Sequence, residues 1–232
     1  MSLIVGIQIK KFAAQTKLMM IHEIALETYS RKEQFNFFKD FEEPFFGITT
    51  AINCDRAYRF CKTHNFPFFA YYLHATNKAV NETSNFRQRI RNNAPATYEV
   101  THVSTTMARP NHTFGFSYIE HHPNFECFLE RFTKEKKRIQ ETDQLMPDTM
   151  TDQVTHYSAL PWLNFSSVAH ARKFSINDTC PKITFGKIHR DQGQLMLPIS
   201  VHAHHALVDG YHVGQLIACL TDLLQEHEQL SA

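Results

Sequence analysis

Glycine is scarce, with 7 in 232 residues. Neither a G-x-G-x-x-G string nor a Walker-type phosphate loop occurs, which excludes the nucleotide-loop enzymes that depend on them. An excess of one charge is also missing. The 24 Lys+Arg face 23 Asp+Glu, a balance that argues against a nucleic-acid footprint or a polybasic membrane anchor. No apolar run approaches the ~18 residues of a membrane span. Gln8, Lys10, Lys11 and Gln15 break up any signal-peptide core. The cysteines Cys54, Cys61, Cys127, Cys180 and Cys219 are odd in number, widely spaced and without a CxxC pair. They suggest neither a zinc ribbon nor a disulfide framework, and read as reduced thiols of a cytoplasmic protein.

What is present is ordinary globular material, 43% hydrophobic, in a chain long enough for a sizeable core. There is no repeat and no Pro/Gly/Ser linker, so residues 20–232 read as a single domain. Residues 1–19 read as an N-terminal extension, upstream or vector-derived, because Met19-Met20 offers an alternative start.

Ser30-Arg31-Lys32-Glu33 has the form of a capping box that opens a short helix to about Lys39. Ile48–Ile52 is β-prone, and Asp55 is placed to cap a helix to about Thr63. The unbroken apolar run Phe68–Val80 predicts a buried helix. Tyr98–Val103, Thr113–Tyr118, Trp162–Ser167 and Ile183–Ile188 read as strands. Phe125, Phe128, Leu129, Phe132 and Ile139 lie near helical spacing, with charges between them. Asp191-Gln192-Gly193 is a turn into a long strand, Gln194–His204, whose Leu195, Leu197, Ile199, Val201 and Ala203 form one apolar face. The stripe Val213, Leu216, Ile217, Leu220, Leu223 and Leu224 predicts a final helix. The expected fold class is α/β, an α+β two-layer sandwich with helices packed on a mixed sheet.

Histidine is plentiful, at 15 residues. The most informative cluster is His204-His205 followed by Asp209-Gly210, an HHxxxDG string where the long strand hands over to the last helix. Three readings are open on these residues alone. One is a structural, His-rich strand end. Another is a metal site from His202, His204 and His212, although spacing fixes no carboxylate or Cys ligand. The last is a histidine general base, since imidazole titrates near neutrality and a tight turn can fix its orientation. A buried Asp209 would demand an arginine or several N–H donors.

At this point the chain resembles a known family. HHALVDGYHVGQL is similar to the C-terminal signature of the chloramphenicol acetyltransferases, within the CoA-dependent acyltransferases that share HxxxDG. Three further boxes follow in the family's order. They are Tyr29-Ser-Arg31-Lys-Glu33-Gln-Phe35, with Tyr for the usual Trp, then Ser158-Ala-Leu-Pro161-Trp162-Leu-Asn-Phe165, and Pro181-Lys-Ile-Thr184-Phe-Gly-Lys187. The resemblance runs from about Met20 to Glu226.

It implies direct transfer of acetyl from acetyl-CoA, the cosubstrate, to an acceptor hydroxyl, with no bound cofactor and no metal. His205 resembles the general base. Ser158 resembles the hydroxyl that donates to the tetrahedral oxyanion, and Thr184 a second polar group near it. Asp209 and Arg31 resemble the ion pair that fixes the loop. Trp162 is expected in the core, with contact to the CoA arm as the alternative. The resemblance further implies a cytoplasmic homotrimer with its acceptor sites between subunits, and antibiotic resistance as the family's role. The acceptor pocket departs from the family pattern. Phe38, Phe45 and Gly47 stand where Tyr, Cys and Phe are usual. Phe116 matches, Tyr118 replaces a small residue, and His170 and Arg172 replace aliphatic ones. The alternatives are therefore a related O-acyltransferase with an acceptor other than chloramphenicol, or an inactive ligand-binding protein on the same scaffold.

Overall fold

The computed structural model describes residues 21–149, 151–174 and 177–226. The expectation for residues 1–19 lies outside them. In chain order the strands are β1 (Ile21–Glu23), β2 (Phe45–Asn53), β3 (Gln88–Arg91), β4 (Ala94–Tyr98), β5 (His102–Ala108), β6 (Phe114–Phe116), β7 (Val154–Ala159), β8 (Lys182–Phe185), β9 (His189–Asp191) and β10 (Gln194–His204). The helices are α1 (Lys32–Phe38), α2 (Asp55–His64), α3 (Phe68–Glu82), α4 (Phe125–Gln140) and α5 (Gly210–Gln225).

The main sheet runs β2-β10-β8-β7-β5-β6, with β9 on the far end of β10. The pairs β5–β7 and β7–β8 are parallel and the others antiparallel. A small antiparallel sheet, β1-β4-β3, stands apart. This is the mixed sheet with packed helices that the sequence predicts.

Period-2 alternation gives the central strands two unlike faces. Ile199, Val201, Ile183, Phe185 and Tyr157 join the core beneath α3 and α5, where Leu73, Val80, Leu216 and Leu220 are fully or almost fully buried. The opposite face carries Thr49, Ser200, Thr184 and Ser158 side by side in register. The next row on that face is Gly47, His202, Lys182 and His156.

Several local expectations change. The Ser30 capping box is not made. Arg31 precedes α1 without a side-chain cap, and the entry is closed by backbone bonds from Lys32 to Tyr29 and from Phe35 to Arg31. Asp55 is the first residue of α2, with Cys54 before it, and its Oδ2 accepts from the Leu195 N–H instead. The run Tyr98–Val103 is two strands in two sheets, β4 ending at Tyr98 and β5 starting at His102. Trp162–Ser167 is irregular, and the strand lies earlier, at β7. Both faces of β7 carry polar or aromatic groups, so it lacks the alternation that marks a half-buried strand. Trp162 is 72% exposed, which corrects its expected core position. The Gln192-Gly193 turn is as expected, with φ of 47° and 84°, the left-handed pair that suits a two-residue hairpin.

Candidate active site

His205 sits just past the end of β10, held from four sides. Its backbone N–H donates to the Pro44 carbonyl at 2.8 Å. Its ring stacks on Phe38, with centroids 4.0 Å apart and planes 9° from parallel, and Phe46 covers another side at 4.5 Å. Its Nδ1 lies 3.2 Å from the Val208 carbonyl oxygen. A carbonyl only accepts, so this contact puts the ring proton on Nδ1 and leaves the Nε2 lone pair available. Such a nitrogen can take a proton from an approaching hydroxyl.

The turn behind His205 is tied down by Arg31 and Asp209. Arg31 is 9% exposed and makes an ion pair through Nη1 with Asp209 Oδ2. Its Nη2 donates to the His205 carbonyl at 3.1 Å. Asp209 also caps α5: its Oδ1 accepts from the Tyr211 N–H at 3.0 Å, and its own N–H donates to His212 Nδ1 at 3.1 Å. Despite the cost of its partial burial, the neighbouring Arg31 guanidinium holds the Asp209 carboxyl below the ordinary carboxylate range. The arginine that a buried carboxylate demands is therefore present.

Ser158 and Thr184 are direct cross-strand neighbours on the polar face of the sheet. Thr184 Oγ1 and His170 Nε2 are 3.3 Å apart. The His170 ring stands edge-on to His202 at 4.8 Å, and His202 Nε2 is 3.1 Å from Ser200 Oγ, which accepts from Thr49 Oγ1 at 3.0 Å. Gly47 makes this layer possible, because a Cβ there would come within 2.5 Å of the His202 ring.

One chain does not bring these two halves together. Thr184 pairs with Ser200, five residues short of His205, and Ser158 is one strand further across. At ~3.3 Å per residue and ~4.8 Å per strand, His205 and Ser158 lie roughly 15–20 Å apart.

The expected pocket residues divide likewise. Phe38 belongs to the His205 side. Phe116 and His170 line a cavity of about 320 Å³ with Ser158. Phe45 and Arg172 line an adjoining one of about 220 Å³ that shares His170. Arg172 lies over the Phe45 ring at 3.8 Å and pairs with Glu43. Tyr118 instead packs edge-on against His102, at 5.5 Å.

Sequence reasoning missed His156, Asp178 and Lys182, which also line the larger cavity. Recognising β7 as a strand, and starting the expected Ile183–Ile188 strand one residue earlier, would have put His156 and Lys182 on this face. It missed Phe46 as well, for which no signal was available. His202, His204 and His212 do not gather as a metal site. The ligand-type groups that meet among the described residues are His156, Asp178 and Cys180, all within 4.8 Å. There the Lys182 ammonium already sits on Asp178 Oδ2, at 2.5 Å.

Known proteins share this fold. A solved structure of a chloramphenicol acetyltransferase superposes with a TM-score of 0.78 at 27% identity, over 88% of this chain and all of that one. A probable dihydrolipoamide acetyltransferase from Listeria monocytogenes, at 10% identity and a TM-score of 0.61, covers 90% of this chain and 97% of its own, and shares the fold. The fold is that of an acetyltransferase of the chloramphenicol type. Among curated proteins, the chloramphenicol acetyltransferase of Bacillus pumilus is 24% identical over 211 residues, covering 88% of this chain and 93% of that protein. Chloramphenicol acetyltransferase 2 of Haemophilus influenzae is 24% identical over 210 residues, covering 87% and 96%. The family model described as chloramphenicol acetyltransferase matches residues 19–221. The chain belongs to this family and is an acyltransferase of the chloramphenicol acetyltransferase type.

Proposed function

We propose that the protein transfers acetyl directly from acetyl-CoA to an acceptor hydroxyl, with His205 as general base. The observation that carries this reading is the 3.2 Å contact of His205 Nδ1 with the Val208 carbonyl, which engages the Nδ1 proton of a neutral ring and leaves the Nε2 lone pair free. The acceptor oxygen attacks the thioester carbonyl carbon while its proton passes to Nε2. The carbonyl oxygen becomes an oxyanion that takes a hydrogen bond from the Ser158 hydroxyl, with Thr184 as a second polar group nearby. Collapse expels the CoA thiolate, which recovers the proton from the imidazolium. No metal or bound cofactor enters this scheme. Among the cysteines, the Cys54 and Cys180 thiols are buried and raised by that burial, unsuited to an acyl-enzyme route.

The separation of His205 from Ser158 supports a composite site, completed when the His205 side of one copy faces the Ser158 cavity of the next. A homotrimer closes such head-to-tail contacts into a ring. We read residues 20–232 as its single catalytic domain, residues 1–19 as an extension, and the cytoplasm as its location. In support, the family match begins at residue 19, and no helix among the described residues is long and apolar enough to cross a membrane.

Thiol release from acetyl-CoA over a panel of hydroxyl acceptors, chloramphenicol included, is the direct test. His205→Ala should lower kcat/KM by ~10²–10⁴-fold. Intact turnover in that variant would falsify the assignment, and CoA binding without thiol release under any acceptor would mark an inactive ligand-binding scaffold. Unfolding and refolding equal amounts of His205→Ala and Ser158→Ala together should restore about a quarter of wild-type activity, because one interface in four then pairs an intact His205 with an intact Ser158. No recovery from refolded trimers would place both groups in one subunit's site.

A further inference from the structure

We propose that the acceptor is a neutral, hydroxyl-rich molecule of about monosaccharide size, bound in the trough beside Ser158. This rests on the acetyl-transfer reading and narrows its substrate class. The trough consists of the cavities of about 320 and 220 Å³, which share His170 and Lys182. Its walls combine apolar surface from Phe45, Phe116, Tyr157 and Ala171 with groups that donate and accept single hydrogen bonds. Ser104, Thr106 and Ser158 bring hydroxyls, and His156 and His170 bring imidazoles.

Both imidazoles are uncharged at neutral pH, since burial pulls each down to about 4, helped by the Lys182 ammonium and, for His170, its neighbour His202. A neutral imidazole offers one donor and one acceptor, the same pair that a hydroxyl offers. His202, on the far wall, is held below its ordinary value by burial too.

The charges along the trough are already matched. Lys182 Nζ donates to Asp178 Oδ2 at 2.5 Å and to the Cys180 carbonyl at 3.2 Å. Arg172 is paired with Glu43 and stacked on Phe45. An anionic acceptor would have to break one of these pairs to find a cation, and a cationic acceptor would have to do so to find a carboxylate. Either exchange leaves a half-buried charge unpaired. An apolar acceptor meets the opposite difficulty, because each polar wall group it covers loses its water and gains no partner. A site built for hydrogen bonds discriminates strongly against ligands that lack them.

The test measures kcat/KM for thiol release from acetyl-CoA with four alcohols of different character and with chloramphenicol. The alcohols are methyl glucoside (neutral polyol), glucosamine (cationic), gluconate (anionic) and 4-nitrobenzyl alcohol (apolar). Methyl glucoside should exceed each of the other three alcohols and chloramphenicol by about 10-fold or more. His170→Leu should erase much of that margin, raising KM for methyl glucoside about 10-fold while improving turnover of 4-nitrobenzyl alcohol. Preference for chloramphenicol or for nitrobenzyl alcohol would overturn the polyol class and leave acetyl transfer standing. A charged alcohol that outperforms methyl glucoside, or an unchanged ranking in His170→Leu, would overturn it equally. Silence with all five would overturn the acetyl-transfer reading itself, and this proposal with it.

Discussion

The two faces of the central sheet are built from the same strands and do opposite things. Beneath β10 and β8, Ile199, Val201, Ile183 and Phe185 are fully or almost fully buried against the helices. Above them Ser200 and Thr184 are buried against the His202 and His170 rings, and those rings and Ser158 line the cavities. On the proposed mechanism, adjacent residues on one strand serve stability and chemistry separately. The apolar face sets how firmly the strands are held, and the polar face inherits their register, so donors such as Ser158 and Thr184 are positioned by backbone pairing and not by loops.

A paired substitution tests that division most directly. Ser158→Ala should cost about 10²–10³-fold in kcat, as loss of one oxyanion donor does elsewhere. Its thermal midpoint should stay within a few degrees of the parent. Ile199→Ala, one residue from the polar Ser200, should show the reverse. Removing this wholly buried side chain should destabilise the fold by about 2–5 kcal/mol in denaturant titration, with little change in KM at temperatures where the protein stays folded. If Ser158→Ala unfolds the protein, or if Ile199→Ala selectively removes activity, the two faces are not independent.

Asp209 sharpens the comparison because it does both jobs. Asp209→Asn keeps a competent helix cap, since Asn serves there as well as Asp, but it removes the charge that faces Arg31. The expected outcome is a fall in kcat of ~10–100-fold through mispositioning of the His205 turn, with KM for acetyl-CoA nearly constant and a small change in melting temperature. A loss carried entirely by melting temperature would reduce Asp209 to a cap.

The smallest effect is a slope in pH. Burial pulls His156, His170 and His204 on the polar side, and His74 and His121 elsewhere, down to about 4. For these groups the unfolded chain binds protons that the folded one refuses. Stability should therefore be fully present above about pH 6.5 and decline as pH falls toward 4. Asp209, with its lowered carboxyl, adds a loss at still lower pH. Denaturant midpoints measured from pH 7 to pH 4 should fall steadily, and His170→Gln should flatten part of the slope. A flat profile in the parent protein would mean that these imidazoles are not buried as neutral groups.

Much of this molecule could be read along the chain. The alternation on Gln194–His204, the stripe on α5 and the amphipathic α4 each repeat with the period of the element they form, so burial on one side leaves a written trace. The HHxxxDG string and the three ordered boxes supplied the resemblance. Where the period fails, reading fails. β7 is hidden because polar or aromatic groups fall on both of its faces, whereas Trp162, expected in the core, is 72% exposed. The Ser30 cap went unmade because the chain entering α1 is set by Arg31 reaching a carboxylate 178 residues away.

By itself the sequence determined the class of fold and the strand-to-helix turn that carries His205, and the family resemblance implied the pairing of Arg31 with Asp209. The fold class and the turn follow from local periodicity. Only the tertiary structure decided which nitrogen of His205 is free, that His156 and Lys182 join the polar layer, and that Ser158 lies beyond the reach of His205 in the same chain. These depend on strand order and register, which align residues distant in sequence and leave no local mark.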